Sequence, residues 1–316
     1  MLVLVTGATG FVGRRVVREL QEHRHRVRVL VHTPGRERLF PDRSVDIHYG
    51  SVSDPVALAA AFYDVEVAIH LVGIVRQSHR RSFDQINRQG VANVVAAAKE
   101  AGVKHFIQVS AIGATNNPSY PYLYSKWRGE QELIKSGLPY TIFQSSVMFG
   151  EGDEFLNALA GLVRIGPVVP VIGNGRNRMQ PISVADVARC LVLAIDRGDL
   201  KGKTVEIGGP HQISYNEIVA IVARTMGRRI FRFHLPVWLM YIVTAVIQRL
   251  QPRPMLTTGQ LRMLALRNVA EPRAVEETFG FTPQPMEGNI DFVRLVSFGD
   301  GIAMALGSMP TQIRDH

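Results

Sequence analysis

Residues 2–13 read LVLVTGATGFVG, and this stretch decides the fold. Its first five residues form a continuous run rich in β-branched side chains, which predicts a buried strand. Gly7, Gly10 and Gly13 follow, and the pattern after them is helical. In a strand–turn–helix unit, glycines at this spacing allow a tight turn, a close approach of the backbone to a pyrophosphate, and close helix–strand packing. The stretch therefore predicts a dinucleotide-binding loop, with the phosphates facing a helix N-terminus.

The alternation of apolar runs and helical patterns continues to residue 149. Strands are predicted at residues 27–32, 65–72, 105–110 and 140–149, and helices at residues 13–23, 54–63, 83–101 and 122–136. Such alternation predicts an α/β Rossmann fold, a doubly wound parallel sheet with helices on both faces, followed by a smaller C-terminal lobe. We expect a dinucleotide-binding Rossmann domain at residues 1–150, a substrate or partner lobe interleaved with it at residues 151–300, and a tail at residues 301–316.

Composition narrows the function classes. The 316 residues carry 36 Lys and Arg against 27 Asp and Glu, a formal net charge of +9. A basic balance suits anionic lipids, small anions or nucleic acid, but the arginines are scattered without a nucleic-acid-binding motif, so no nucleic-acid partner is expected. Cys190 is the single cysteine and the histidines lack zinc-ligand spacing, so neither a disulfide nor a metal site is predicted. The sequence shows neither a signal-peptide pattern nor a run of about 18 apolar residues. We expect a cytoplasmic protein and leave open a peripheral position at the inner face of a membrane.

The end of the second predicted strand bears on the choice of cofactor. Residues 30–36 read LVHTPGR, without the Asp or Glu that commonly binds the adenosine ribose of NAD. Arg36 and Arg38 lie at this point in the sequence, and Arg14 follows the last glycine of the loop. Such basic groups suit a 2′-phosphate, which an acid would repel. The pattern favours NADP(H) and leaves NAD(H) open. The alternative is that these arginines are ordinary solvated surface.

Four further patterns point to one family. Residues 87–93 read NRQGVAN, Ser110 ends a predicted strand, Tyr122 and Lys126 form a Tyr-x-x-x-Lys pair, and residues 180–188 read QPISVADVA. These patterns resemble the short-chain dehydrogenase/reductase superfamily in its extended or atypical branch, close to NAD-dependent epimerase/dehydratase proteins. The resemblance implies an oxidoreductase that transfers a hydride, with a small-molecule substrate that the sequence does not identify.

The spacing of Tyr122 and Lys126 has a chemical reason. Residues four apart share a helix face, so the ammonium could lower the pKa of the phenol toward neutrality. The resemblance implies that Tyr122 exchanges the proton, Ser110 binds the substrate oxygen, and Lys126 also holds the nicotinamide ribose. The glycine loop and the resemblance together predict this cofactor-binding set: Gly7, Thr9, Gly10, Phe11, Val12, Gly13, Arg14, His32, Arg36, Ser51, Val52, Val72, Gly73, Asn93 and Lys126.

The sequence departs from the family at two places. Gly50 is followed by Ser51 where relatives often carry an Asp that contacts adenine, and Gln144-Ser145 replaces an Arg-Pro pair. The second half, including Phe149-Gly150 and the stretch from residue 236, resembles the nucleotide-binding accessory subunit of respiratory complex I and its bacterial relatives. This resemblance keeps two alternatives open: a non-catalytic NADPH-binding subunit of a complex I-like membrane assembly, and a nucleotide-sugar epimerase or dehydratase. A homo-oligomer also remains open.

Two segments carry competing interpretations. Residues 173–178, GNGRNR, could form a phosphate nest, but the pattern favours a hairpin turn. Residues 233–248 lack a formal charge and are flanked by arginines. As a helix, this segment fits either an interfacial membrane helix or a core or partner-binding helix.

Overall fold

The computed structural model describes residues 1–42, 44–78, 81–250, 257–263, 266, 268–308, 310 and 313. The chain divides into two compact units. The first comprises Met1–Ser145 and Val184–Ile207, and the second comprises Ser146–Ser183 and Gly208–His316. The chain thus leaves the first unit after Ser145 and returns to it at Val184, where it adds a helix and a strand.

The strands and helices of the described residues are numbered along the chain. The strands are β1 (Leu2–Thr6), β2 (Arg26–Val31), β3 (Val45–Tyr49), β4 (Val67–His70), β5 (His105–Ala111), β6 (Tyr140–Ser145), β7 (Met148–Phe149), β8 (Val168–Ile172), β9 (Arg178–Met179), β10 (Ile182–Ser183), β11 (Lys203–Ile207), β12 (Ile213–Ser214) and β13 (Phe231–Leu235). The helices are α1 (Phe11–Glu22), α2 (Pro55–Phe62), α3 (Gly90–Glu100), α4 (Pro121–Ile134), α5 (Glu154–Ile165), α6 (Val184–Leu193), α7 (Tyr215–Thr225), α8 (Val237–Leu250), α9 (Thr258–Met263), α10 (Ala274–Phe279) and α11 (Phe298–Ala305).

The first unit is built on a parallel sheet with the strand order β11-β6-β5-β4-β1-β2-β3. Strand order reverses between β1 and β4, and ligands of doubly wound sheets bind outside the carboxyl ends of the strands at such a switch point. Helix α1 packs against α6, while α2, α3 and α4 pack beside one another. The predicted Rossmann fold is confirmed.

The core of the first unit follows from the buried apolar runs of its strands. All five residues of β1 are buried, and Phe62, Phe106 and Ile142 are fully buried in the cluster formed by the sheet with α2, α3 and α4. Helix α2 begins where the sequence predicts, because the Asp54 carboxylate accepts hydrogen bonds from the N–H groups of Val56 and Ala57. These contacts fix the loops at the carboxyl ends of the strands.

The second unit combines short strand pairs with helices. β7 pairs with β10 and β8 with β13, both in parallel, and β9 pairs antiparallel with β12. Helix α5 packs closely on α11, since a Cβ atom added to Gly301 would lie 2.8 Å from the carbonyl oxygen of Gly161. A capping box formed by Ser214 and Glu217 starts α7.

Three local predictions need correction. Residues 233–248 are not one helix, because β13 runs to Leu235 and α8 begins at Val237, after a proline that cannot continue the ladder of a strand. The strand predicted at residues 140–149 is broken, since β6 ends at Ser145 and β7 begins at Met148. The hairpin predicted at residues 173–178 is wrong, because β8 and β9 pair with β13 and β12 rather than with each other.

Candidate functional site

The glycine loop joins β1 to α1 as predicted. Gly7 has φ +77°, a conformation that favours glycine, and the Gly10 N–H donates to the Gly7 carbonyl oxygen at 3.0 Å. A Cβ atom on Gly13 would lie 2.3 Å from that same oxygen, so α1 approaches the loop backbone more closely than a side chain would permit. Within the described structure no side chain caps α1, whose N-terminal N–H groups therefore suit an anionic ligand.

The glycine loop also touches the segment that follows β4. A Cβ atom on Gly7 would lie 3.0 Å from the carbonyl carbon of Leu71 and from the nitrogen of Val72. A Cβ atom on Gly73 would lie 3.6 Å from Nζ of Lys126. Residues 71–73 therefore border the glycine loop at one end and the predicted lysine at the other. This cradle, too narrow for side chains at Gly7 and Gly13, fits a dinucleotide laid along the carboxyl ends of the strands.

The region after β2 contains a positively charged and a negatively charged side chain next to each other, Arg36 and Glu37. The Arg36 guanidinium donates through Nη2 to the Thr9 carbonyl oxygen at 3.2 Å, which places it beside the glycine loop. Glu37, absent from the predicted set, accepts a hydrogen bond from the Gly35 N–H at 2.6 Å. His32 is exposed, while Arg14 is half-buried in the first turns of α1 with Phe11 and Val12. A 2′-phosphate would thus meet Arg36, but a carboxylate lies one residue away.

The loop after β3 is fixed by α3. The Asn93 side-chain amide donates to the Val52 carbonyl oxygen at 2.9 Å, and the hydroxyl of Ser51 lies 2.9 Å from that of Ser53. A Cβ atom on Gly50 would lie 2.4 Å from the Cβ atom of Ala57, so this loop packs tightly against α2. The structure therefore places Ser51 and Val52 beside Asn93, as expected of one binding loop.

Lys126 is buried at the end of the cradle next to Gly73. It lies on α4, where its ammonium donates to the Val109 carbonyl oxygen at 2.8 Å. Burial lowers the pKa of Lys126 to about 8, an effect that the Glu130 carboxylate opposes. The nearby His70 ring is buried and hydrogen-bonds Thr6 at 2.7 Å, and burial lowers the pKa of His70 to about 3, so its ring is neutral.

Tyr122 lies one turn before Lys126 on α4, with its ring edge against Phe83 at a centroid distance of 5.8 Å. Burial raises the pKa of Tyr122 to about 12. The Lys126 ammonium, one turn away on the same helix, donates to the Val109 carbonyl oxygen. A ligand that draws the ammonium away from Val109 would change this balance.

Ser110 is buried near the end of β5. Its buried hydroxyl lies close enough to Glu130 to lower the pKa of that carboxyl, which burial raises, yet among the described residues it has no hydrogen-bond partner. Gln144, one of the two departures from the family, donates to Glu130 Oε1 at 3.0 Å. The structure thus places Tyr122 and Lys126 one turn apart on α4 and leaves the Ser110 hydroxyl without a hydrogen-bond partner among the described residues.

Asn87 holds the chain segment next to Lys126, since a Cβ atom on Gly73 would lie 3.5 Å from Asn87 Oδ1. It lies in a π-helical turn, Asp84–Gln89, and its side-chain amide donates to the Ile74 carbonyl oxygen and to Ser125 Oγ, both at 3.0 Å. Its Oδ1 accepts from the Ile74 N–H at 2.9 Å. Asn87 therefore fixes the chain after residues 71–73. Neither Glu130 nor Asn87 belongs to the predicted set, although the four-residue spacing from Lys126 to Glu130 would have indicated a shared helix face.

The remaining candidate sites lie in the second unit or concern other ligand classes. The loop of residues 173–178 is held by α7, since the Asn216 N–H donates to the Gly175 carbonyl oxygen at 3.0 Å. Its Gly173 N–H donates to Leu235 and its Arg176 N–H to Asn174, so these two donors are already used. Among the described residues, no cluster of His, Cys, Asp and Glu could hold a metal ion. In the same part of the chain, every helix is too short or too polar to cross a bilayer.

Comparison with known proteins places these features in context. The sequence pattern of the NAD dependent epimerase/dehydratase family matches residues 3–208. The chain is 32% identical over 237 residues to a ceramide reductase of Caulobacter vibrioides, a match that covers 74% of each protein. It is 30% identical over 230 residues to the mitochondrial NADH dehydrogenase (ubiquinone) 1 alpha subcomplex subunit 9 of Arabidopsis thaliana, and this match spans 70% of the chain but 57% of the plant subunit. A solved UDP-glucose 4-epimerase of Thermotoga maritima has the same fold, with a TM-score of 0.72, 21% identity and coverage of 94% of this chain and 98% of that one.

Proposed function

Because the chain belongs to the NAD dependent epimerase/dehydratase family, we propose that it is a reductase that uses NADPH to reduce a carbonyl group. One observation carries the proposal: the glycine loop and Lys126 border the same segment, residues 71–73. A dinucleotide that places its pyrophosphate on the glycine loop would bring its nicotinamide end to Lys126. The name of the similar Caulobacter protein supports reduction as the class of reaction.

The residues of the chain divide the work by position. The N–H groups of α1 and the loop glycines would hold the pyrophosphate, while Arg36 and Arg14 would face the 2′-phosphate. The bound nicotinamide supplies the hydride. Lys126 would donate to the ribose, and its charge, once drawn from Val109, would favour ionisation of the Tyr122 phenol. Tyr122 would then give its proton to the carbonyl oxygen as that oxygen gains negative charge.

The test is a comparison of turnover with cofactor affinity. Tyr122→Phe should abolish NADPH oxidation with a panel of ketones, quinones and nucleotide sugars while leaving NADPH affinity nearly unchanged, because the proton donor acts in the transition state. Tyr124→Phe is the matched control, since Tyr124 lies on the same helix but stacks on Trp127 at 6.1 Å. Equal turnover in the wild type and Tyr122→Phe would contradict the proposal.

We assign Ser110 the binding of the substrate oxygen, because its buried hydroxyl has no hydrogen-bond partner among the described residues. If Ser110 binds substrate, Ser110→Ala should raise KM or lower kcat without changing NADPH affinity. If its role is only structural, Ser110→Ala should leave turnover intact and change only the stability of the first unit, because a buried hydroxyl without a hydrogen-bond partner among the described residues is removed. Steady-state kinetics and thermal unfolding of the same variant separate the two roles.

A second candidate function is that of a non-catalytic NADPH-binding subunit. Two observations favour it: burial raises the pKa of the Tyr122 phenol to about 12, and the Lys126 ammonium donates to the Val109 carbonyl oxygen. The similarity to a respiratory-chain subunit agrees with this candidate. Tight NADPH binding without Tyr122-dependent turnover on the whole panel would favour it over the reductase.

A further inference from the structure

The second unit carries an exposed apolar sheet face. In the parallel pair β8–β13, Phe231 lies opposite Val168 and Phe233 opposite Pro170. Neighbours in register share a face of a sheet, so these four side chains lie on one side. Phe231 is 69% exposed, Phe233 53% and Val168 53%, whereas the alternate residues Val169 and Val171 are fully buried. Strand β8 therefore buries its alternate residues, while the pair presents two aromatic rings on its exposed face. On β13 the alternate residues Arg232 and His234 are exposed and hydrogen-bond Asn216.

The helix that follows continues this apolar exposure. Trp238, Ile242 and Val246 are four residues apart on α8, and they are 65%, 55% and 54% exposed. Thr244, on another side of the helix, is buried. We name Phe231, Phe233, Trp238, Ile242 and Val246 the β13–α8 surface. Its apolar area is not part of the core of the second unit, so the interpretation of this segment as a core helix is not supported.

The stretch of sequence that contains the β13–α8 surface carries only basic charge. Residues 218–270 contain eight arginines and no Asp, Glu or Lys. Arg228, Arg229 and Arg249 are exposed and pair with no carboxylate in the described part of the chain. An apolar surface rimmed by unopposed arginines suits a partner that is apolar within and anionic at its boundary.

We propose that the β13–α8 surface docks the protein on a membrane rich in anionic lipids. A second copy of the chain is a poorer occupant, because a two-fold interface would bring two arginine-rich rims together. A spanning helix is excluded by length, since the 14 residues of α8 measure about 21 Å against about 30 Å of hydrocarbon. The apolar side chains enter the interfacial layer and the arginines contact lipid phosphates. This proposal is independent of the proposed reductase.

Vesicle binding tests it. The full-length protein should co-sediment with vesicles of phosphatidylcholine and phosphatidylglycerol, and added salt should release part of it because arginine attraction is screened. Arg228→Gln/Arg229→Gln should weaken binding roughly fivefold for each arginine, and Trp238→Gln/Ile242→Gln on the order of tenfold or more. Leu295→Gln, which removes a side chain 74% exposed elsewhere in the second unit, is the matched control and should bind as the wild type does.

Tryptophan fluorescence gives a local readout. The chain has two tryptophans, Trp127 and Trp238, so Trp127→Phe leaves Trp238 as the reporter. Its emission should shift to the blue with anionic vesicles and be quenched by brominated acyl chains. Unchanged NADPH affinity in every variant confirms that the first unit remains folded.

Two outcomes would overturn the proposal. One is wild-type protein that stays in the supernatant with every vesicle composition and shows no shift of Trp238 emission. The other is a dimer in analytical ultracentrifugation that Trp238→Gln/Ile242→Gln dissociates while vesicle binding is absent, which would make the surface an interface between copies.

Discussion

Substitution of two loop glycines by alanine should separate cofactor binding from folding. At Gly13 the new Cβ atom would lie 2.3 Å from Gly7 O and 2.5 Å from Ala8 Cα, both backbone atoms. Unstrained contacts are about 3.5 Å long, so α1 would have to move about 1 Å from the loop. Overpacking of this kind costs roughly 1–3 kcal/mol, and the better helix propensity of alanine offsets at most about 1 kcal/mol.

At Gly10 the same substitution should leave the fold intact. Gly10 has φ −82° and ψ 177°, which alanine adopts without strain, and its added Cβ atom would lie 3.2 Å from Gly7 O. The methyl group would instead stand where the pyrophosphate approaches the backbone. We therefore expect Gly10→Ala to keep the wild-type unfolding midpoint and to lose NADPH affinity at least tenfold, on the order of 1.4 kcal/mol.

Two measurements on both variants separate these effects. Thermal unfolding gives the change in stability, and calorimetric titration gives the change in NADPH affinity. Gly198→Ala is the matched control, since this exposed glycine of the first unit has open space for a Cβ atom and should change neither quantity. Wild-type NADPH affinity in Gly10→Ala would refute the assignment of the loop as the pyrophosphate site. A wild-type midpoint in Gly13→Ala would refute the close packing of α1.

Two further predictions concern charge. Arg36→Ala should weaken NADPH binding by roughly tenfold and leave NADH affinity nearly unchanged, because the guanidinium beside Thr9 would contact the 2′-phosphate, which NADH lacks; an equal loss for both cofactors in calorimetry would contradict this. Asp153 is the buried N-cap of α5, and burial raises the pKa of its carboxyl from 3.8 to about 7. Its folded-state pKa lies above the unfolded one, so the native state loses stability as the pH rises from 3.8 to about 7, by up to about 1.4 kcal/mol for each pH unit. Asp153→Asn keeps an N-cap acceptor and cannot ionise, so denaturant unfolding of this variant should show a smaller loss across that window, and an identical pH profile would contradict the role of burial.

The sequence predicts the sheet and the phosphate loop because both depend on local signals. The apolar run of β1 is buried throughout. Gly10 and Gly13 are required by contacts with residues 7 and 8, and Gly7 by its positive φ and by the backbone just beyond β4. The Asp54 cap and the Ser214–Glu217 capping box are local in the same way. Such features follow from residue types and spacing alone.

The parts of the site that sequence reasoning missed depend on side-chain direction and on contacts distant along the chain. Ser110 is the last residue but one of β5, and neither periodicity nor spacing fixes which group the hydroxyl of such a serine contacts. Lys126 donates to the carbonyl oxygen of Val109, the residue that follows the last β4–β5 pair, His70 with Gln108. The break of residues 233–248 into β13 and α8 requires the partner strand β8, which precedes it by about sixty residues.

If the glycine loop and Lys126 hold two ends of one dinucleotide, NADPH affinity depends on the protonation state of Lys126. Burial lowers the pKa of Lys126 to about 8. The side chain is therefore a charged donor below that pH and loses its charge above it. We predict that NADPH affinity, measured by calorimetry, is steady up to about pH 7.5 and then falls roughly tenfold as the pH rises through 8, while Lys126→Met binds weakly at every pH and shows no such fall. An NADPH affinity that stays constant across this range in the wild type, or the same fall in Lys126→Met, would contradict the account.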